Sequence, residues 1–340
     1  MKLYKLENKN INFGIQLLRF LLCFWIVIVH CSPIRVQYRR YLFKGFHVPT
    51  FILIAFYFYY SILSKRNIAR IKARFQRLLI PYIIWPTLIF ILKKIPLKFF
   101  QIGKYKSNLA LKYLYIQFLL GTSIYGIFWF QYNLLFLSLF FSIISFLFKN
   151  NLLLVLQCLC VISLYIHISG IYYIFLISFP NNIGFSLNSL ISFMPIAIFG
   201  CFLGSINLIH KIKNIPLYLQ LILLSFLFLL FKYNIFANVK GFMYSNVFLH
   251  ISASILLLLL FGSISFDKFG LIKTIIYHIS KYTGGIYYIH TLIRDIFLNY
   301  INLFKKENYF LSSLIFFICY FICFIGNKLL KNNDLKYLFF

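Results

Sequence analysis

Long apolar stretches alternate with short basic segments along the 340-residue chain. A helix of about 20 apolar residues crosses the hydrocarbon core of a bilayer. The pattern predicts about ten transmembrane helices, which is typical of an all-α, multi-pass integral membrane protein. The predicted spans comprise residues 13–32, 46–64, 78–92, 127–148, 152–169, 189–206, 216–233, 247–266, 284–302 and 309–330.

Two segments between the spans carry predictions of their own. Residues 110–120 are predicted to form an interfacial helix, and residues 171–188 a re-entrant or extended loop. The first span contains Arg19 and lacks an Ala-x-Ala-like cleavage site, so we expect it to persist as a span. The last span ends close to Phe340. We therefore expect a single membrane domain, residues 1–340, with no extra soluble domain.

The distribution of Lys and Arg indicates how the spans are oriented, because cytoplasmic loops of membrane proteins are enriched in both. Summed over alternate sides of the predicted spans, these residues are slightly more abundant on the side of the N-terminus. The densest basic segment, residues 65–77, lies on that side and contains no acid. Both termini are therefore predicted to be cytoplasmic, with the protein in the cell (inner) membrane.

Composition supports the membrane class and limits the partners. The chain is 62% hydrophobic and 11% charged, against about 25% charged residues in soluble domains. Its 34 Lys and Arg oppose five acids, a net charge of +29 that could also be interpreted as nucleic-acid binding. The basic residues stand in short runs beside apolar stretches, where they meet anionic headgroups. We therefore predict contact with membrane lipids and none with nucleic acid.

Residues typical of other chemistries are missing or badly spaced. The seven cysteines fall within or beside apolar stretches, where cysteine packs as a small hydrophobe. None stands with histidine or carboxylate in the spacing of a metal site, so no metal is expected. The chain also lacks a Gly-rich phosphate loop, an HExxH motif and a GxSxG nucleophile elbow. Hydrolase and ATPase functions therefore lose support.

Two ionisable residues interrupt the first span. Arg19 and His30 are eleven positions apart, which places them within about 20° on one helix face and about 16 Å apart along the axis. An ionisable group inside a span costs about 3 kcal/mol or more, so both should point into protein or a wet cavity. His30 is a candidate general base or proton relay. The alternatives are a histidine without a task at the headgroup boundary and an arginine that only satisfies backbone carbonyls.

The basic segment 65–77 allows two interpretations. The commoner one is a cytoplasmic anchor beside the second and third spans. The other is phosphate binding, because Arg74 and Arg77 lie three apart on one helix face and guanidinium groups bind phosphate oxygens in pairs. From the residues alone, both remain open.

A third polar group lies in the ninth span, in the sequence YYIHTLIRDIF. His290 and Arg294 are four apart and share a helix face, whereas Asp295 is turned about 100° away. The three residues either line a site, or Arg294 and Asp295 neutralise one another within the bundle. His47 and His250, in the second and eighth spans, could line the same cavity.

Taken together, these residues resemble the acyltransferase 3 family. The resemblance rests on Arg19 with His30, on Arg74-x-x-Arg77 followed by IPYIIW, on Trp129 with Phe130, and on Tyr288 with His290; it covers nearly the whole chain. It implies a ten-helix O-acyltransferase that moves an acyl group, usually acetyl, from cytoplasmic acyl-CoA to a hydroxyl of a surface polysaccharide or lipid-linked sugar.

The resemblance also implies roles for these residues. His30 is the expected catalytic base, and Arg19 is expected to orient the donor or stabilise developing charge. Arg74 and Arg77 are expected to hold the phosphates of coenzyme A. The predicted substrate-binding residues lie in the fourth and ninth spans; they are Trp129, Tyr288, His290 and Arg294.

One position departs from the family pattern. Many members carry Ser-Gly in the second span, where this chain has Ala55 and Phe56. The larger residues predict looser helix packing or a narrower acyl tunnel. A different class, an exporter or transporter of polysaccharide or lipid-linked sugar, is the main alternative, although the paired half-repeats typical of transporters are not seen. A third possibility is a degenerate member of the family that only scaffolds an envelope complex.

Overall fold

The computed structural model describes residues 12–31, 46–94, 128–169, 181–212, 215–236, 247–264, 270–300, 309–330 and 337–338. Regular structure within these ranges is helical, which confirms the all-α prediction. The twelve α-helices found there are α1 (Phe13–Cys31), α2 (His47–Lys65), α3 (Ile68–Lys94), α4 (Trp129–Leu147), α5 (Leu152–Ile168), α6 (Asn181–Ser205), α7 (Leu208–Lys211), α8 (Leu217–Phe236), α9 (Val247–Gly262), α10 (Gly270–Lys281), α11 (Thr283–Tyr300) and α12 (Tyr309–Leu329).

Four helices are long and apolar enough to cross a membrane. They are Phe13–Cys31, His47–Lys65, Trp129–Leu147 and Phe310–Leu329. Shorter apolar helices occur within α5, α6, α8 and α9. These helices support a membrane protein, and the number of ten spans and the side of the termini stay predictions.

Three helices differ from the predicted spans. The basic segment before the third span is helical, since α3 begins at Ile68, and Arg and Lys are good helix formers. The loop predicted at 171–188 is partly helix, because α6 begins at Asn181. Helix α10 was not predicted; its Ile and Leu alternate with Lys at helical spacing and never form a long apolar run. The helix predicted at 110–120 lies outside the described residues.

Contacts along several helix pairs show how these helices are directed relative to one another. Helix α1 is parallel to α11, because Arg19 bonds to Thr283 at one end and His30 bonds to Arg294 at the other. Helices α2 and α9 are parallel as well, since residues 46 and 50 contact residues 250 and 254, respectively. Helix α3 returns from α2 as a hairpin that begins at Arg66, whose φ of 46° is left-handed. The apolar faces of these helices meet in one continuous core.

Helix α6 packs closely against α2 through two glycines. A Cβ at Gly200 would lie 2.5 Å from the carbonyl oxygen of Leu53, and one at Gly204 would approach the carbonyl oxygen of Tyr57 still more closely. Gly200 and Gly204 form a GxxxG motif, in which small residues let two helix backbones approach. The second span lacks the Ser-Gly pair that would allow tight packing. The two glycines of its neighbour α6 allow that packing instead.

The cysteines behave as packing residues. All seven are free thiols, and five of them are buried: Cys23, Cys31, Cys201, Cys319 and Cys323. Among the described residues, no group of three or more His, Cys, Asp or Glu side chains could hold a metal ion.

Candidate functional site

A cavity of about 650 Å³ lies between α1, α2, α3, α4, α10 and α11. Its polar lining residues are Asn12, Gln16, Arg19, Tyr59, Arg74, Arg77, Gln131, Tyr277, Ser280, Lys281, Thr283, Tyr287 and Tyr288. Its apolar lining follows the deeper turns of α1 and α2, and includes Cys23, Ile26, Phe51, Ile54, Ala55 and Phe58. The cavity is thus cationic near the start of α1 and apolar further along it.

Arg19 is held in the cavity wall by two neighbouring helices. Its guanidinium donates to the side-chain oxygen of Gln16 (3.1 Å) and to the hydroxyl of Thr283 (3.2 Å). Gln16 also accepts a hydrogen bond from Ser280 at the end of α10 (2.9 Å). These bonds orient a side chain that remains cationic at neutral pH.

Arg74 is fixed more firmly. Its guanidinium carbon lies 4.1 Å from the ring centroid of Tyr59 and 5.4 Å from that of Phe56, and its Nε donates to Ser138 at 3.0 Å. Tyr59 is held in turn by a 2.6 Å hydrogen bond with Ser142. The cation–π contacts and the hydrogen bond lock one rotamer, so Arg74 presents its charge to the cavity in a defined place.

Arg77 adds a third positive charge at the exposed edge of the cavity. It interacts electrostatically with both Arg19 and Arg74, and these contacts are repulsive. The described residues that line the cavity include no Asp or Glu. Among the described residues the one acid is Asp295, and it is paired with Arg294. The guanidinium groups of Arg19, Arg74 and Arg77 therefore face one cavity, and no carboxylate of the described residues neutralises them there.

The second-span residues that depart from the family pattern take separate places. Ala55 lines the cavity, and its small side chain leaves room there. Phe56 is buried beneath Arg74 and packs against Phe141 with ring centroids 5.2 Å apart. The expected loosening of helix packing is not seen, since Gly200 and Gly204 bring α6 against this helix.

His30 lies outside the cavity lining, in a second polar cluster at the other end of α1. Its ring centroid is 5.2 Å from that of His290 on α11. The ring of His290 in turn lies 6.0 Å from that of Tyr287, which does line the cavity. Tyr287 thus connects the cavity lining with the ring of His290.

Arg294 belongs to this second cluster and not to the cavity. It donates to Asp295 at 2.8 and 2.5 Å and to the main-chain oxygen of His30 at 2.9 Å. The neutralisation of Arg294 by Asp295 is therefore the interpretation that fits the structure. The bond to His30 satisfies a carbonyl at the end of α1 that has no partner within the helix.

The other predicted substrate-binding residues are divided between the two regions. Tyr288 lines the cavity, is buried, and stacks on Phe128 with ring centroids 6.1 Å apart. Trp129 does not line it; the indole stacks on Phe193 at 5.6 Å. Of the predicted site residues, the structure brings together Arg19, Arg74, Arg77 and Tyr288, and it places His30, His290 and Arg294 in one separate cluster.

His47 and His250 do not line this cavity either. His47 packs against Trp25 with ring centroids 5.4 Å apart, and His250 against Phe46 at 5.6 Å. Both are buried between α1, α2 and α9. The structure therefore places both histidines outside this cavity.

Several lining residues were missed in the sequence, and two of them left a signal. Gln16 stands three positions before Arg19, on the same helix face, and Gln131 interrupts the apolar start of α4. The Gln131 amide donates to the carbonyl oxygen of Leu78, on α3 (2.9 Å). Tyr59 and Lys281 gave no signal, because the tertiary fold alone brings α2 and α10 to the cavity.

Comparison with known proteins identifies the family of the chain. A family model described as an acyltransferase domain, acyltransferase 3, matches residues 12–327. No curated protein and no solved structure matches the chain significantly. The match covers nearly all the described helices, including both polar clusters. The chain therefore belongs to the acyltransferase 3 family of membrane acyltransferases.

Proposed function

We propose that this protein transfers an acyl group, with acetyl as the first candidate, from acyl-CoA to a hydroxyl of a cell-surface polysaccharide or lipid-linked sugar. The observation that carries the proposal is the cavity, which combines three arginines with an apolar interior and no carboxylate from the described residues. A polyanion attached to an acyl chain matches both halves of this lining.

The cationic end suits the phosphates of coenzyme A. Arginine binds phosphate oxygens through paired, charge-assisted hydrogen bonds. Arg77 repels both Arg19 and Arg74, and a bound polyphosphate would relieve that repulsion. This end lies where α1 and α10 meet, on the side of the chain predicted to be cytoplasmic. Acyl-CoA arriving from the cytoplasm would meet it first.

The apolar end suits the acyl group and the pantetheine arm. Ile26, Phe51 and Ile54 offer no hydrogen bonds there, and Ala55 is the smallest apolar side chain among them. Ile26 lies one helical turn before His30, about 6 Å along the axis. A donor whose phosphates occupy the arginine end therefore directs its thioester towards His30.

In this proposal, the two clusters divide the chemistry. The acceptor oxygen attacks the thioester carbonyl carbon, and His30 takes its proton as general base. The C–S bond breaks, and the departing sulfur receives that proton as free CoA thiol. Arg19 orients the donor or stabilises its charge, while Tyr288, whose ring borders the cavity, helps to place the reacting groups.

The proposal is tested by CoA thiol release from acetyl-CoA, using purified full-length protein and a cell-envelope glycan extract as acceptor. We expect acceptor-dependent release that disappears in His30→Ala. The double variant with Arg74→Ala and Arg77→Ala should have a KM for acetyl-CoA about 100-fold higher than wild type.

Matched controls are His210→Ala and Arg70→Ala, because both residues are exposed and neither lines the cavity. Both should behave as wild type. Folded wild-type protein that neither releases thiol nor binds CoA would contradict the proposal. Movement of lipid-linked sugar by that protein would then favour an exporter.

A further inference from the structure

His30, in the last turn of α1, lies next to His290 in the middle of α11. Their ring centroids are 5.2 Å apart and their planes are inclined by 49°. His290 is fully buried, whereas His30 is only partly buried. The sulfur of Cys31 approaches the main-chain oxygen of His290 at 3.9 Å, which places the two helices in direct contact here. The buried ring of His290 therefore lies deeper in the protein than the partly exposed ring of His30.

The hydrogen bonding of His290 fixes which of its nitrogens carries the proton. Its Nδ1 lies 3.2 Å from the carbonyl oxygen of Ile286. A carbonyl oxygen only accepts, so Nδ1 is the donor in this bond. Burial without a counter-charge favours the neutral ring, and Nε2 then bears a lone pair. His290 is thus an acceptor at Nε2.

That lone pair has no partner among the described residues. Nε2 is buried and makes no hydrogen bond there, although buried acceptors in proteins are almost always satisfied. The neighbouring aromatic rings of His290 are those of His30 and Tyr287, at 5.2 and 6.0 Å. The imidazole N–H of His30 is the donor whose chemistry fits.

We propose that His290 is a positioning residue for His30. In the structure the two rings lie 5.2 Å apart, and the Nε2 of His290 is not yet bonded to any described residue. When the His30 ring turns towards it, Nε2 accepts a hydrogen bond from one ring nitrogen of His30, so that the other ring nitrogen carries the lone pair that receives the acceptor's proton. A base oriented by a third group is a general device of acyl transfer. The role rests on the proposed function and replaces substrate binding as the interpretation of His290.

The test compares His290→Gln with His290→Asn in the full-length protein. The glutamine side chain carries its amide oxygen to about the position of Nε2, whereas the shorter asparagine reaches only the position of Nδ1. We expect Gln to stay within about 10-fold of the wild-type kcat and Asn to fall about 100-fold. The KM for acetyl-CoA should stay unchanged in both, because the residue lies outside the cavity.

A double variant distinguishes positioning from a structural role. If His290 acts only through His30, His30→Ala combined with His290→Asn should be no slower than His30→Ala alone. Folding is checked by size-exclusion chromatography, and His290→Met replaces Asn if Asn does not fold. Equal activities of Gln and the acceptor-free variant, or additive losses, would overturn the proposal. An inactive wild type would instead refute the proposed function itself.

Discussion

The guanidinium of Arg294 donates a hydrogen bond to the main-chain oxygen of His30, at 2.9 Å. The bond links α11 to the last turn of α1, and Asp295 neutralises the arginine that makes it. The cost of keeping a charged pair at this depth is thus offset by a capped helix end and a fixed position for His30.

Replacing Arg294 should therefore destabilise the protein as well as slow it. Arg294→Ala leaves the carbonyl of His30 and the carboxylate of Asp295 without their partner, and we expect a loss of about 3 kcal/mol in the free energy of unfolding. Thermal unfolding in detergent measures the change. Arg294→Ala combined with Asp295→Ala should recover part of it. A single variant as stable as wild type would contradict the capping role.

The glycines of α6 predict a different loss, caused by overpacking. Gly200→Ala places a methyl group 2.5 Å from the carbonyl oxygen of Leu53, so α2 and α6 must separate. We expect destabilisation of about 1–3 kcal/mol, seen as a lower midpoint of thermal unfolding. Gly270→Ala is the matched control, because nothing lies within 4 Å of a Cβ there. Equal stability of the two variants would show that the contact is not tight.

Arg74→Lys should weaken donor binding although it keeps the charge. Lysine lacks the planar group that lies over Tyr59 and the Nε that bonds to Ser138. We expect the KM for acetyl-CoA to rise about 10-fold while the fold is retained. Arg70→Lys serves as the control, since Arg70 is exposed on the same helix. An unchanged KM in Arg74→Lys would mean that charge alone suffices.

Ala55→Leu should shorten the acyl group that the enzyme accepts. The added isopropyl group fills the apolar end of the cavity, where Ala55 leaves room. We expect acetyl transfer within a few-fold of wild type and hexanoyl transfer reduced about 10- to 100-fold. The comparison uses kcat/KM for the two donors, with Ser64→Leu as a control on the exposed face of α2. An equal loss for both donors would place the acyl group elsewhere.

The sequence predicted the positions and faces of the helices more reliably than it predicted which helices pack against each other. The face shared by Arg19 and His30 follows from helical spacing alone, and the structure puts both on the side of α1 that meets α11. The structure also brings Arg74 and Arg77, which share a helix face, to one cavity. Both relationships can be read from the sequence because they depend on local periodicity.

The misses depend on tertiary contacts. His47 and His250 are as polar as His30, but α9 carries His250 to α2, away from the cavity. Helix α10 escaped notice because an amphipathic helix of 12 residues has no long apolar run. Gly200 and Gly204 form a legible motif, but its meaning required the knowledge that α2 is the helix packed against them.

Two hydrogen bonds join helices α1 and α11, one between Arg19 and Thr283 at the start of α11 and one between His30 in the last turn of α1 and Arg294. Two parallel helices that are joined at two points resist sliding and splaying, so the pair holds Arg19 in the cavity and His30 in the second cluster at a constant distance. The spacing between the two polar clusters is therefore set by the fold itself. Any motion that widens the cavity has to be made by the helices around this pair, while that spacing stays the same.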